Sequence, residues 1–325
     1  MNASRLQSIA AAIAFLITMP VAAGAQDYPT KPVRLIVNTA AGGLMDVAAR
    51  VATDHLGKAL GQRFIIENRS GSGGNTGIDA VAKSEPDGYT LGQLQLGNVA
   101  INPHIYPNMP FDVFSDIVPV APLSSSAILI VANAKLPANN LSELIALAKE
   151  QPGKLSYGSA GPGTAPHLAG EMFKAQAGVN ILHVPYRGAG PAVNDVVGGH
   201  IHLTFVGLGA VRSAVEAGLV KILAVAQSKR LAAAPQYPTS AEAGLPGYEF
   251  VTWFGVVAPK GTPAPVIAKL VQTIHAMQDD PQVQRVLGES GLEALKETPE
   301  QFGQRMRRDY DKFRDVVKAA NLKPE

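Results

Sequence analysis

The sequence predicts an α/β protein of two doubly wound domains with a ligand cleft between them. Strand and helix patterns alternate twice along the chain, on either side of a proline-punctuated connection. Each half also carries a glycine-rich turn that joins a strand to a helix. The 325 residues suffice for two domains of ordinary size.

The first half is organised by VRLIVNTAAGGLMDVAAR, residues 33–50. An apolar strand, 33–37, turns through Ala41, Gly42 and Gly43 into an amphipathic helix over 45–60. Glycines let backbone approach a ligand closely, and unpaired N–H groups at a helix start favour an anion. Strands are expected at 64–68 and 90–95 and a helix at 77–83, which makes a βαβαβ unit with a parallel sheet. Asp46 falls in the first helical turn, where the dipole favours a carboxylate or a ligand contact would place one.

Residues 102–122 contain five prolines (103, 107, 110, 119 and 122) and read as a long surface connection. A second unit follows, with strands at 128–133, 155–159, 181–186, 201–207 and 221–227. Its helices are expected at 141–150, 165–177, 192–197 and 211–217. Asn140 and Glu143 have capping-box character. The second glycine turn runs from Ser159 to Thr164 through Gly161 and Gly163. Thr164 either caps the helix behind it or offers its hydroxyl to a ligand. His167, one turn further on, is either a core or helix-face histidine or a ligand contact, and Asp195 follows the 188–191 loop closely enough either to look into the cleft or to face solvent.

A strand at 250–259 holds the sole tryptophan, Trp253. Three helices then start at Thr262-Pro263, Asp280-Pro281 and Thr298-Pro299, each a cap residue before a first-turn proline. Arg305, Arg307 and Arg308 form a solvated basic face on the last helix. The simplest packing returns this C-terminal region to the first unit. The chain then divides into 26–123 plus 250–325 and 124–249, hinged near 120–127 and 230–250.

Residues 1–25 read as a cleavable signal peptide: Arg5, an apolar run over 9–21, then Ala23-Gly24-Ala25. Its removal takes the formal charge from +2 to +1, which excludes a basic nucleic-acid-binding surface. With no cysteine there is no disulfide, thiolate metal site or lipidated N-terminal cysteine. The mature chain is expected to be a soluble periplasmic monomer. It contains no Walker loop, no full dinucleotide fingerprint, no nucleophile elbow and no nucleophile–base pair apparent from spacing. His200 and His202 alternate on a strand but gain no third ligand, so neither metal nor cofactor is expected.

From residue 28 to about 323 the chain resembles the Bug-type substrate-binding receptors of tripartite tricarboxylate transporters. The matching stretches are YPTKPVRLIV, AAGGLMD, ENRSGSGGNTG, PDGYTL, SAGPGTAPHLAGEMF, HVPYRGAGPAVNDVVGG, EAGLPGYE and APKGTPAPV. The resemblance implies a bilobal periplasmic-binding-protein-like fold and a small carboxylate ligand delivered to membrane transporter subunits. It implies contacts from Ala41, Gly42, Gly43, Ser159, Gly163, Thr164 and Asp195; Thr39 and His167 join the candidate site from their positions beside the two glycine turns. Rival readings are a transporter-independent receptor that signals to a membrane sensor, an enzyme on the same fold, and a metal-loaded binder.

The chain departs from the family pattern at Asn38 and Thr39, where relatives commonly carry a proline and an aromatic. Two polar side chains there predict a ligand with a hydroxyl, keto or amino group rather than an aromatic diacid. Ser70 likewise replaces a usual proline, which affects loop stiffness.

Overall fold

The computed structural model describes residues 28–39, 41–161, 164–186 and 188–319. The signal-peptide segment, 1–25, lies outside them, as does Gly163. The strands are β1 (Val33–Val37), β2 (Phe64–Asn68), β3 (Thr90–Gln95), β4 (Ile117–Ala127), β5 (Leu129–Asn133), β6 (Ser156–Ser159), β7 (Leu182–Pro185), β8 (Leu203–Val206), β9 (Val220–Val225), β10 (Val251–Pro259) and β11 (Glu293–Ala294). The helices are α1 (Leu44–Leu60), α2 (Asn75–Ala82), α3 (Leu96–Ala100), α4 (Asn102–Ile105), α5 (Leu141–Glu150), α6 (Ala165–Ala177), α7 (Ala189–Gly198), α8 (Leu208–Glu216), α9 (Ala264–Asp279), α10 (Pro281–Glu289) and α11 (Pro299–Ala319). A 3-10 turn spans Ser72–Gly74.

The elements form two sheets. The first has the order β11-β4-β10-β3-β1-β2, and the second β7-β6-β8-β5-β9. In the first, β1 pairs in parallel with β2 and β3, as the βαβαβ pattern requires. The returning strand β10 joins this sheet antiparallel to β3 and β4. The second sheet is mixed, because β5 runs antiparallel to both β8 and β9.

The chain passes from the first sheet to the second between Ala127 and Leu129, and returns after Val225 to Val251. The two crossings are tied together. Ile128 donates to the Phe250 carbonyl, Phe250 to Ala226, and Ala226 to Ile128, at 3.0, 2.8 and 2.8 Å.

The 102–122 stretch is not a bare surface connection. It holds α4 and most of an eleven-residue strand, β4. Its prolines argued against a strand because proline cannot donate to a ladder. The structure accommodates them at irregularities: Pro119 and Pro122 oppose Val257 and Gly255, where the pairing with β10 shifts register. On the opposite side β11 pairs only with Ser124 and Ser125, so both prolines lie beyond its reach.

Helix starts follow local chemistry. Asn140 accepts from the Glu143 N–H at 2.8 Å, Asp280 caps α10 through Gln282, and Thr298 and Gln301 bond reciprocally. Thr262 is the exception. It donates to the Pro259 carbonyl instead, and α9 begins after Pro263. The basic face on α11 is only partly solvated, because Arg305 is paired with Glu297 and the Arg307 guanidinium lies 3.5 Å from the Phe114 ring centroid.

Three apolar clusters fill the layers. One packs α1, α9 and α10 against a face of the first sheet, and another packs α7 and α8 on the second. The third continues from Ile36, Trp253 and Phe302 in the first lobe to Phe173 and Phe205 in the second. This shared core includes Ile128, Ala226 and Phe250 of the two crossings.

Candidate ligand-binding site

After Val37 the chain leaves β1 through Asn38 and Thr39. Gly42 has φ +91°, a left-handed conformation that a side chain would strain. Gly43 is the helix N-cap at φ −86°, ψ 174°, extended backbone open to any residue. Asp46 closes the turn: its Oδ2 accepts from Gly42 N–H at 3.1 Å and from Arg50 Nε at 2.8 Å. Burial alone would raise the Asp46 pKa, but these bonds outweigh it and hold the carboxyl below its ordinary value. Asn68 bridges the turn by donating to the Thr39 carbonyl at 3.0 Å.

Beneath Thr39 lies an asparagine network. Asn98 Nδ2 donates to the Gly73 carbonyl at 3.0 Å, and its Oδ1 accepts from Gln95 N–H at 3.1 Å and Asn38 Nδ2 at 2.7 Å. Asn102 donates to the same Gly73 carbonyl and to Asn75 Oδ1. Positive φ at Gly71, Ser72, Gly73 and Gly74 folds this loop against Asn38. A Cβ at Gly74 would stand 2.6 Å from Asn38 Nδ2.

In the second lobe, Ser159 Oγ is wholly buried at the end of β6. It accepts from Gly161 N–H at 3.1 Å and lies 2.6 Å from His183 Nε2. The structure therefore holds a serine–histidine pair, 24 residues apart in sequence, that spacing did not reveal. Its chemistry is structural. The hydroxyl is shut off from solvent and fixes the loop, and His183 stacks between Tyr157 and His167 at centroid distances of 4.9 and 4.0 Å. Burial, reinforced by the adjacent His167 imidazole, pushes His183 down to about 4, so the ring is neutral at pH 7. Thr164 occupies the N-cap of α6 but makes no side-chain cap bond; its hydroxyl donates to the Gly161 carbonyl at 2.7 Å.

The two lobes meet around a cavity of about 580 Å³, within the range of small-molecule sites. One wall is Asn38, Thr39 and the 70–74 loop. Another is Gln95–Gly97 with Ile101, Asn102, Ile105 and Tyr106, and Thr252 of β10 adds to it. The opposite wall is Thr164, Ala165 and Pro166, the first turn of α6. None of these described lining residues carries a formal charge. The walls offer hydroxyls, amides and the positive end of the α6 dipole, groups suited to an anion.

Of the expected site residues, Thr39 and Thr164 face each other across this cavity. Ala41, Gly42 and Gly43 are exposed beside it without lining it. Ser159 and His167 are buried behind the second-lobe loop. Asp195 accepts from Tyr186 Oη at 2.5 Å and from His200, so it anchors the strand-to-helix turn rather than the cavity wall. Sequence reasoning singled out Asn38 but did not bring the 70–74 loop, Asn98 or Asn102 to the site. The GSGGN run at 71–75 was the available signal, a third glycine-rich turn from strand to helix. Among the described residues no cluster of three His, Cys, Asp or Glu side chains is placed to hold a metal, and no helix is long and apolar enough to cross a membrane.

A cavity walled by the strand and helix ends of two α/β lobes, lined by hydrogen-bonding groups, is the architecture of a solute-binding receptor. The chain belongs to the tripartite tricarboxylate transporter receptor family, TctC, whose family model matches residues 48–322. It is 34% identical to BugT of Bordetella pertussis, with 99% of each chain covered. It superposes on Rpa4515 of R. palustris with adipate at TM-score 0.80 and 36% identity, covering 92% of this chain and 100% of that one. MatC (Rpa3494) from Rhodopseudomonas palustris with bound malate gives TM-score 0.75 at 31% identity, covering 89% and 100%.

Proposed function

We propose that this chain is an extracytoplasmic receptor that captures a small organic carboxylate between its lobes and delivers it to a tripartite tricarboxylate-type membrane transporter. The observation that carries the reading is the interlobe cavity, in which the α6 N-terminus opposes a wall of neutral donors and acceptors. The adipate and malate bound in the two R. palustris proteins support a carboxylate class. The lobes are 26–123 plus 250–325 and 124–249, with the paired crossings at Ile128, Ala226 and Phe250 as the hinge. Thr39 and Thr164 contact the ligand, with Ala41–Gly43 beside them and Gly163 as a further candidate contact. Ser159, His167 and Asp195 act by holding the second-lobe loops. Export through residues 1–25 places the mature protein in the periplasm.

A thermal-shift screen of the mature protein against C4–C6 mono- and dicarboxylates tests this, because a ligand of the native state raises the melting temperature. A rise with at least one carboxylate is expected. No response to any of them, with uncharged solutes stabilising instead, overturns the reading.

A further inference from the structure

We infer that Asn38 and Thr39 read a hydrogen-bond donor on the ligand's carbon skeleton, so that the receptor selects hydroxy- or amino-carboxylates over their unsubstituted parents. The inference rests on the carboxylate reading above and specifies which members of that class are held.

The argument begins at Asn98, whose orientation is fixed from two sides. The Gly73 carbonyl can only accept and the Gln95 N–H can only donate, so Nδ2 faces the former and Oδ1 the latter. Asn98 therefore presents only an acceptor to Asn38, which must answer with its own Nδ2, at 2.7 Å. That leaves Asn38 Oδ1 as the free end of the amide, an acceptor that cannot be exchanged for a donor by flipping the side chain.

Asn38 is 1% exposed, and its Oδ1 has no hydrogen-bond partner among the described residues. Thr39 Oγ1 next to it is also buried and unpartnered. Both residues line the interlobe cavity. Elsewhere the asparagine network is closely paired, and the two unpartnered atoms both belong to residues of the cavity wall. A buried acceptor without a donor is costly. A ligand that brings an O–H or N–H to Asn38 Oδ1 removes that cost, and one that brings only C–H seals it in. A keto oxygen cannot serve Asn38, since both atoms accept. Thr39, which can donate or accept, tolerates either. The structure thus narrows the sequence expectation from hydroxyl, keto or amino to hydroxyl or amino.

The test is isothermal titration of the mature protein with matched sets: succinate, malate, aspartate and oxaloacetate; then glutarate, 2-hydroxyglutarate, glutamate and 2-oxoglutarate. In the set that fits, the hydroxy or amino member should bind at least tenfold tighter than both the parent and the keto analogue. Asn38→Leu should collapse that ratio towards one, and Thr39→Val should lower it while leaving the Asn38–Asn98 bond in place. Unliganded melting curves check that each variant folds, and the wild-type ratios stand without either. If parents or keto acids bind as tightly as the hydroxy and amino members, or if both variants fold and keep the wild-type ratio, the inference is overturned while the carboxylate receptor stands. Absence of binding by every carboxylate, including those of the wider C4–C6 screen, overturns both.

Discussion

The Gly42 N–H points at Asp46 Oδ2, 3.1 Å away, and not into the cavity. The first glycine turn is therefore held by its own helix. Its carboxylate satisfies one donor of the turn, takes Arg50 from the next helical turn and lies within 3.4 Å of Asn68 Nδ2 on the neighbouring strand. Asp46 is 2% exposed while its Arg50 partner is 63% exposed. The carboxylate is therefore buried but the ion pair is open to solvent at its guanidinium end, and the stabilisation rests mainly on the hydrogen bonds to the buried carboxylate. Asp46→Ala should lower unfolding stability by about 1.5–3 kcal/mol and weaken carboxylate binding, because Thr39 loses its braced loop. Urea denaturation checks the first and titration the second. A loss under about 0.5 kcal/mol would show that the lock is dispensable.

The two glycines of this turn should respond differently. Gly42→Ala imposes a side chain at φ +91° and is expected to cost about 1 kcal/mol or more. Gly43→Ala meets extended backbone and open space, so its stability change should stay within about 0.5 kcal/mol. Gly43→Val is then a clean probe of the rim: it blocks approach without straining the turn. Equal melting temperatures for Gly42→Ala and wild type would remove the conformational argument.

Below pH 7, stability should follow the buried histidines first. His183 is held at about 4, and burial also lowers His167. The unfolded chain binds these protons near the ordinary histidine value of about 6.5, before the folded protein does. Their contribution is therefore complete above about pH 6.5 and is lost as pH falls towards 4. The Asp46 and Asp195 carboxyls, both held below their ordinary values, add a further loss only at lower pH. Melting temperature measured from pH 7.5 to 4 should decline across this window. His183→Asn should flatten the upper part of the curve, and an unchanged slope would assign the decline to other groups.

Much of this was legible in the sequence because it depends on local chemistry. Apolar runs located nine of the eleven strands; β4 was lost because its ladder compensates for Pro119 and Pro122 through shifts against β10 that no pattern encodes, and the two-residue β11 is too short to leave a pattern. Asn38 and Thr39 stood out because they replace the proline and aromatic of the family pattern that the chain resembles. Their partners did not, because Asn98 and Gly73 reach Asn38 only through the parallel pairing of β1 with β3 and the folding-back of the 70–74 loop. The Ser159–His183 pair was hidden in the same way, because only the parallel pairing of β6 with β7, Tyr157 beside His183 and Ser159 beside Pro185, makes the two residues diagonal neighbours.

Two helical glycines offer the sharpest test of how tightly Asn38 is held. Gly57 in α1 and Gly77 in α2 both have ordinary helical backbone, so alanine should gain about 1 kcal/mol at either from propensity alone. At Gly57 a Cβ meets nothing closer than the Gln62 carbonyl at 3.4 Å, and Gly57→Ala should realise much of that gain. At Gly77 it would stand 2.8 Å from the Arg69 carbonyl and 2.9 Å from Asn38 Cβ. Neither is the far end of a flexible side chain, so backbone or the Asn38 stem must shift. Overpacking of this kind costs about 1–3 kcal/mol, which outweighs the propensity gain. Gly77→Ala should therefore be less stable than wild type in denaturant, and it should bind carboxylates more weakly because displacing Asn38 distorts the cavity wall. Stabilisation of both variants to the same degree would mean that α2 can move aside freely, and that Asn38 is not clamped in the position from which it faces the ligand.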